Sequence, residues 1–386
     1  MKIAKRIQSL PPYFFARLGK RIAQLNSQGR DVIRLDIGSP DMPPADFIVD
    51  TLCHSAQDST HHGYAGYYGI PELRQAMVDA YAHRFGVELD VKTEVLPCIG
   101  SKEGLVNVNL AFVDPGDAVL VPDPGYPSYS MGTLLAGGKI VRFPLFAERG
   151  WLPDLDAISP DVARKAKIMW LNYPNNPTAA VADLDFFARA VEFARRYDIL
   201  LCHDAPYCDV TFDGYVAPSI LQVPGAKEVA IEFNSLSKTY NMAGWRVGLA
   251  VGNAQAIGAL ATVKTNIDSG IFRAIQDAAV AALGGDQEWV AERNRVYEER
   301  RDILLEGLRA IGIEALRPKA SLYVWAPVPA GWTSEEWASQ VLEQVGVSMT
   351  PGTAFVPNGE GYVRISMVRP TARIQEAMAR LRHFKA

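Results

Sequence analysis

AKIMWLNYP, residues 166–174, is the stretch that decides the fold: an apolar run of strand length breaks off into polar and turn-forming residues. Runs of the same kind recur along the chain, between stretches with a helical period. They are AVLVP (118–122), KIVRFPL (139–145), ILLCHDAPY (199–207), VAIEFNS (229–235) and WRVGLAVG (245–252). Short runs rich in Val, Ile and Leu between helices are typical of a mostly parallel sheet covered on both faces. We therefore predict an α/β fold.

The pattern changes near residue 285. A long charged helical stretch begins there and leads to strand-like SLYVWAPV, a further helix, GYVRISM and a closing helix. Near the start of the chain, a surface helix is predicted by apolar residues at helical spacing: Phe14, Leu18, Ile22 and Leu25. We expect a large α/β domain over residues 41–285 and a small α+β domain that joins residues 1–40 to 286–386.

The composition is that of an ordinary globular protein. The 386 residues are 48% hydrophobic, and the formal net charge of −4 provides no basic field for nucleic acid or an anionic membrane. No stretch has the length and apolarity of a signal peptide or a membrane span, so we expect a cytoplasmic protein. The four cysteines lack CxxC spacing and are expected to be reduced and buried, and no metal site is predicted.

Polar and aromatic side chains follow four of the predicted strands. Ligands of open α/β sheets bind outside the carboxyl ends of the strands, so these side chains are the candidates for a site. Tyr126 follows AVLVP and Asn176 follows KIMWL; Asp204 and Tyr207 follow ILLCH, and NSLSK follows AIEF. Each feature alone has a structural explanation: PNNPT is typical of a turn, and GSKEG is typical of a helix start with Ser101 as its cap.

Taken together, the same features favour one cofactor. They offer a lysine among hydroxyls, a lone carboxylate, a flat aromatic ring and an anion site at a helix N-terminus. This set suits a flat, phosphorylated, nitrogen-containing aldehyde such as pyridoxal phosphate. A lysine amine forms a Schiff base with the aldehyde, and a carboxylate partners the pyridinium nitrogen.

The motifs also resemble a known family. SLSKTYNMAGWRVG (235–248), YPNNPT, DAPY, GSKEG, YAGYYGIPELRQA and YVRIS occur in the order and spacing of the class I/II, fold-type I pyridoxal-phosphate aminotransferases. The resemblance covers nearly the whole chain and implies a large domain with a mostly parallel, seven-stranded sheet. The opening residues and GSKEG are similar to the LL-diaminopimelate aminotransferase branch, whose relatives include alanine and aromatic aminotransferases.

The resemblance implies a role for each strand-end residue. Lys238 would carry the cofactor and then move a proton between the substrate's Cα and the cofactor's C4′ carbon. Asp204 would keep the pyridine nitrogen protonated, Tyr207 and Asn176 would bond the phenolic oxygen, and Tyr126 would stack on the ring. The implied phosphate ligands are Ser101, Lys102, Ser235, Ser237 and Arg246.

Burial beside a cation lowers the pKa of an amine, and Arg246 is expected to provide that charge for Lys238. Arg364 in YVRIS matches the family residue that binds the substrate's α-carboxylate, and Gly38 matches a backbone contact beside it. Tyr64 matches a tyrosine that reaches the phosphate from the other subunit, which implies a homodimer with shared active sites.

Two motifs depart from the commoner family patterns. The asparagine motif reads YPNNPTA where many relatives have NPNNPTG, and DAPY stands where DEAY is commoner. Neither change removes a catalytic group. The expected reaction is transamination between an L-amino acid and a 2-oxo acid, with glutamate and 2-oxoglutarate as one pair. A carbon–sulfur β-lyase of the same fold is the alternative, and a non-catalytic pyridoxal-phosphate sensor is a more distant one.

Overall fold

The computed structural model describes residues 1–8, 10, 14–355 and 357–385. Its strands are β1 Ile33–Arg34, β2 Val95–Cys98, β3 Ala118–Asp123, β4 Lys139–Pro144, β5 Ala166–Asn172, β6 Leu200–Asp204, β7 Ala230–Ser235, β8 Gly248–Gly252, β9 Tyr323–Pro327, β10 Val347–Ser348, β11 Thr350–Pro351 and β12 Tyr362–Ser366. Its α-helices are α1 Lys5–Gln8, α2 Phe14–Ser27, α3 Asp46–Gln57, α4 Pro71–Phe85, α5 Ser101–Phe112, α6 Pro127–Ala136, α7 Pro160–Ala163, α8 Leu184–Tyr197, α9 Leu236–Thr239, α10 Ala254–Thr265, α11 Arg273–Gly284, α12 Glu288–Arg309, α13 Ser334–Val345 and α14 Thr371–Leu381.

Seven strands form the main sheet, in the order β2-β8-β7-β6-β5-β3-β4. Pairings from β7 across to β4 are parallel, and β8 runs antiparallel to both of its neighbours. This confirms the predicted mostly parallel sheet. The parallel strands β5, β6 and β7 lie side by side, so their carboxyl ends meet at one edge.

Apolar side chains cover both faces of this sheet. Ile168 and Trp170 of β5 join one core with α5, α6 and α10, whereas Met169 and Leu171 join the other core with α3, α4 and α8. Successive strand residues point to opposite faces, so a strand buried on both faces has an unbroken apolar sequence. Residues 168–171 of β5, IMWL, are therefore all apolar and all buried.

Capping residues define the ends of helices α8 and α13. The side chain of Asp183 accepts a hydrogen bond from the backbone N–H of Phe186 and caps the start of α8. Thr333 and Glu336 form a reciprocal capping box at α13, which ends at Gly346 in a left-handed conformation. In the part of the chain that the structure describes, no helix combines the length and apolarity that crossing a membrane requires.

A third core lies under α12, α13 and α14, with the three-stranded sheet β11-β12-β9. The N-terminal arm packs on it, since β1 pairs with β10 and Arg21 of α2 forms an ion pair with Glu343 of α13 at 2.7 Å. This core also includes Tyr207 and Phe212, which belong to the stretch predicted as the large domain. We propose that residues 41–285 form the large domain and that residues 1–40 and 286–386 form the small one.

Three details differ from the sequence-based expectations. The strand predicted from residue 245 begins at Gly248, because Arg246 has a φ of +61° and cannot continue an extended strand. The edge strand β2 gave no clear signal, since it is four residues long and contains a proline. Cys53 is exposed, so the expectation that all cysteines are buried was wrong for this one. The predicted N-terminal surface helix is confirmed as α2.

Candidate active site

A cavity of about 430 Å³ opens at the carboxyl ends of β5, β6 and β7, within the usual size range of small-molecule sites. Every residue predicted for the site lines this cavity except Tyr64. The predicted residues that line it are Gly38, Ser101, Lys102, Tyr126, Asn176, Asp204, Tyr207, Ser235, Ser237, Lys238, Arg246 and Arg364. Segments far apart in sequence therefore converge on one site.

Lys238 lies on the single-turn helix α9, directly after β7. Ser235 caps this turn by accepting a hydrogen bond from the backbone N–H of Ser237, and the Lys238 amine donates to the carbonyl of Gly38. Burial, followed by the positive charges of Arg364 and then Arg246, lowers the pKa of Lys238 from 10.5 to about 8. A useful fraction of the amine is therefore neutral near physiological pH, and Arg364 contributes more to this than Arg246 does.

The N-terminus of α5 forms an anion cradle beside this lysine. Gly100 is its cap residue with φ of +72°, so Ser101 is the first helical residue and not the cap that GSKEG alone suggested. A Cβ at Gly100 would meet an amino nitrogen of Arg246, so a side chain there would displace that guanidinium from its present position. The backbone N–H groups of Ser101 and Lys102 and the Arg246 charge suit a phosphate.

Asp204 is the last residue of β6 and is 3% exposed. Its Oδ2 accepts a hydrogen bond from the Tyr129 hydroxyl at 2.7 Å. Its Oδ1 is buried and has no hydrogen-bond partner among the described residues. Burial raises the pKa of Asp204 to about 6, and the Tyr129 hydrogen bond opposes that rise. A buried carboxylate oxygen of this kind calls for an N–H donor from a ligand.

Arg364 on β12 is a buried cation held by neutral groups. Its two terminal nitrogens donate to Oδ1 of Asn176 and to the carbonyl of Asp36, both at 2.8 Å. The ring centroids of Tyr323 and Phe355 lie 4.1 Å and 4.8 Å from the guanidinium carbon. The planar fork is thus fixed in orientation while its charge remains available to a carboxylate.

The asparagine turn ties two of these strand ends together. Asn172 donates to the backbone carbonyl of Asp204 at 2.6 Å and accepts from the backbone N–H of Asn176 at 2.8 Å. The hydroxyls of Tyr207 and Tyr323 lie 3.0 Å apart. Tyr126, at the start of α6, also faces the cavity. These contacts place amide, phenol and aromatic groups around one volume.

Sequence reasoning missed Tyr129 and Tyr323, both of which contact a predicted site residue. Tyr129 follows Tyr126 by three residues on α6, so helical spacing was a usable signal for it. Tyr323 begins β9 and comes to the cavity only through the second sheet, so no local pattern marked it. Tyr64 lies outside the cavity and is 90% exposed in the single chain.

Comparison with known proteins places this arrangement in a family. The family model of aminotransferase class I and II matches residues 30–381. The chain belongs to this family. It is 56% identical to the LL-diaminopimelate aminotransferase of Moorella thermoacetica, over 99% of this chain and 98% of the relative. It is 51% identical to the enzyme of that name from Dehalococcoides mccartyi, over 100% of both chains.

A solved structure shares the fold. A double mutant of Thermus thermophilus aspartate aminotransferase superimposes with a TM-score of 0.93 at 29% identity, over 100% of both chains. The protein is therefore a fold-type I aminotransferase that uses pyridoxal phosphate and acts on amino acids and 2-oxo acids.

The described residues fit this cofactor. The unpartnered Oδ1 of Asp204 suits the pyridinium N–H, and the cradle formed by Gly100, Ser101 and Arg246 suits the phosphate. Lys238 lies in the same cavity with its pKa lowered, as a covalent lysine requires. When bound, the cofactor supplies an electron sink for the charge left on the substrate's Cα.

Proposed function

We propose that this aminotransferase takes its amino group from LL-diaminopimelate and passes it to 2-oxoglutarate, which becomes glutamate. The observation that carries the proposal is the pair of full-length relatives with that substrate in their name, at 56% and 51% identity. The cavity is compatible with it, because Arg34 lines the same volume as Arg364 and is held there by Asp36 at 2.6 Å. A second guanidinium therefore lies in the volume that a substrate with a carboxylate at each end would fill.

Three residues have proposed roles in the proton transfer. Arg364 binds the α-carboxylate and so orients the Cα–H bond towards the amine of Lys238. The neutral amine takes that proton from Cα, which its pKa of about 8 permits near neutral pH, and the protonated amine would return it to the cofactor's C4′ carbon. Asp204 stays ionised above its pKa of about 6 and holds the ring nitrogen protonated.

The remaining contacts position the cofactor. Tyr207 and Asn176 donate towards the phenolic oxygen, and Tyr126 lies against the ring. Ser235 and Ser237 complete the phosphate site with their hydroxyls. Each of these roles rests on the residue's place in the cavity and on the family to which the chain belongs.

A donor panel tests the substrate. We would measure kcat/KM with saturating 2-oxoglutarate for LL-diaminopimelate, alanine, aspartate and phenylalanine, and detect glutamate directly. The proposal expects LL-diaminopimelate to exceed each other donor by tenfold or more. A higher value for another donor would overturn it. Cystathionine without any 2-oxo acid is the lyase control: release of pyruvate and ammonia at a comparable rate would favour the β-lyase alternative.

A homodimer with shared sites is the second part of the proposal. Tyr64 is 90% exposed, and its neighbours Tyr67 and Tyr68 are 47% and 52% exposed, so a cluster of aromatic side chains lies open in the single chain. Mixing inactive Lys238→Ala and Tyr64→Ala proteins should restore activity, because a hybrid dimer contains one intact site. No recovery after confirmed subunit exchange would contradict shared sites.

A further inference from the structure

Arg293, on the long helix α12, contacts the backbone of the candidate catalytic lysine. Its side chain is buried, with 3% of the residue exposed. One terminal nitrogen donates to the carbonyls of Lys238 and Thr239, the latter at 2.6 Å. The other donates to the carbonyl of Asp209 at 3.0 Å. One guanidinium therefore holds three carbonyls from two separate segments.

The carbonyls of Lys238 and Thr239 need an external donor. They lie at the C-terminal end of α9, a helix of four residues, where carbonyl groups have no later N–H within the helix. A single turn is unstable alone because nucleation costs more than one hydrogen bond returns. A cation at this end also complements the helix dipole. Arg293 provides both the donors and the charge.

The third carbonyl connects this turn to the segment that follows β6. Asp209 comes five residues after Asp204, and its carboxylate accepts a hydrogen bond from the hydroxyl of Thr239 at 2.8 Å. Its carbonyl accepts a second bond from the side-chain amide of Asn294 at 2.8 Å. Arg293 and Asn294 thus bind the lysine turn to the segment that carries the ring-nitrogen carboxylate.

Arg293 differs from another buried arginine of the same helix. Arg301 is fully buried and pairs with the carboxylates of Asp213 at 2.6 Å and Asp302 at 2.8 Å. The partners of Arg293 are neutral carbonyls and an amide, with the aromatic ring of Tyr297 5.6 Å away. Burial lowers the pKa of Arg293 to about 10, so the side chain stays charged at neutral pH. Its position is set by the carbonyls of the lysine turn.

We propose that Arg293 is a positioning residue for Lys238, which fixes the backbone of the lysine turn so that the amine meets the substrate's Cα. This rests on the proton-transfer role proposed for Lys238. Lysine at position 293 would keep the charge but lose the planar fork that spans the three carbonyls. The matched control is Arg301→Lys, the same change at an equally buried position that does not touch the turn.

The test is a single-turnover half-reaction of each holoenzyme with a saturating amino donor. Stopped-flow absorbance measures the amplitude and the rate constant of that reaction. The amplitude counts active molecules, so the rate constant is independent of any unfolded fraction. We expect Arg293→Lys to lower the rate constant by about tenfold or more, since small displacements of a reacting group have effects of this size. The half-saturating donor concentration should change by less than about threefold. A rate constant within twofold of the wild type, or an equal fall in Arg301→Lys, would overturn the proposal.

Hydrogen exchange on the apoproteins gives a readout that does not depend on catalysis. The amide of Tyr240 bonds to the carbonyl of Leu236, so exchange of the peptide over residues 236–242 reports on the lysine turn. This peptide should exchange at least about fivefold faster in Arg293→Lys than in Arg301→Lys. Equal exchange would count against the proposal.

A second variant keeps the proposal testable if Arg293→Lys does not fold. Asn294→Ala removes one donor to the Asp209 carbonyl and the Oδ1 that accepts from Arg293 at 2.6 Å, without changing a buried charge. It should lower the same rate constant by about threefold, and an unchanged constant would contradict the proposal. Lys238→Ala separates the two ideas: full turnover there would refute the role of Lys238, whatever Arg293 does.

Discussion

Arg364 has two effects that different substitutions can separate. Its fork is proposed to bind the substrate carboxylate, and its charge is one of the causes that lower the pKa of Lys238 to about 8. Arg364→Lys keeps a positive charge but loses the two-pronged geometry. Arg364→Met removes both. Comparing the two variants therefore distinguishes geometry from charge.

The size of the binding effect follows from the contacts. Asn176 and the carbonyl of Asp36 hold both terminal nitrogens at 2.8 Å, so the fork is already oriented for a carboxylate. Each charge-assisted hydrogen bond contributes about 1.5–3 kcal/mol. Lysine can replace one of the two bonds, so Arg364→Lys should weaken donor binding by about 10- to 150-fold. Arg364→Met loses both bonds and should weaken it further.

The pKa effect should appear only with methionine. The neutral Lys238 amine is the proposed nucleophile for the cofactor, and its fraction rises as the pH rises through its pKa. The rate at which the apoprotein takes up pyridoxal phosphate should therefore rise through about pH 8 in the wild type. The midpoint should stay near there in Arg364→Lys and move towards 10.5 in Arg364→Met, because the latter removes a neighbouring charge.

Two assays follow these effects: donor saturation in single-turnover half-reactions, and cofactor uptake by the apoproteins from pH 6 to 10. Donor binding by Arg364→Lys within threefold of the wild type would refute the fork argument. An equal midpoint for Arg364→Met and Arg364→Lys would refute the charge argument.

Three further predictions concern the cofactor site. Asp204→Asn should raise the free energy of unfolding of the apoprotein in urea at pH 8 by up to about 3 kcal/mol. Folding raises the carboxyl pKa from 3.8 to about 6, so keeping Asp204 ionised in the folded state costs about that much. The gain should shrink as the pH falls from 6 to 4, and a destabilised variant would contradict this. Tyr129→Phe removes a hydrogen bond that lowers the Asp204 pKa, so the acid limb of the pH–rate profile should move to higher pH, and an unmoved limb would count against that contact. Gly100→Ala should weaken cofactor affinity by about tenfold or more in equilibrium titration, because the new Cβ would meet Arg246. Gly86→Ala is the control and should leave affinity unchanged: Gly86 also has a positive φ, of +65°, but no atom lies within 4 Å of the new Cβ.

The sequence was sufficient to predict the parts of the site that lie at strand ends. Asp204 and Lys238 each follow an apolar run directly, and the carboxyl ends of parallel strands must meet. Glycine and hydroxyl residues beside them marked the anion cradle. These predictions depended on local pattern and on one topological rule, which is why the structure places those residues together.

Residues that reach the site from the third core, under α12, α13 and α14, could not be predicted in this way. Tyr323 and Asp36 reach Arg364 from β9 and from the segment after β1, through tertiary packing that leaves no periodic signal. Arg293 lies in a helix whose sequence is charged throughout, so its burial depends on what α12 packs against. Tyr64 is 90% exposed in the single chain, and its role in a partner's site stays a prediction.

The most direct test of the central claim is an absorbance scan of purified wild-type protein and Lys238→Ala, each reconstituted with pyridoxal phosphate and titrated with LL-diaminopimelate. We expect the wild-type visible band of the bound cofactor to give way to the shorter-wavelength band of the aminated cofactor, and 2-oxoglutarate should then reverse this change. Lys238→Ala should show neither the wild-type band nor catalytic conversion. Conversion by Lys238→Ala at the wild-type rate, or no spectral change of the wild type with the donor, would contradict it.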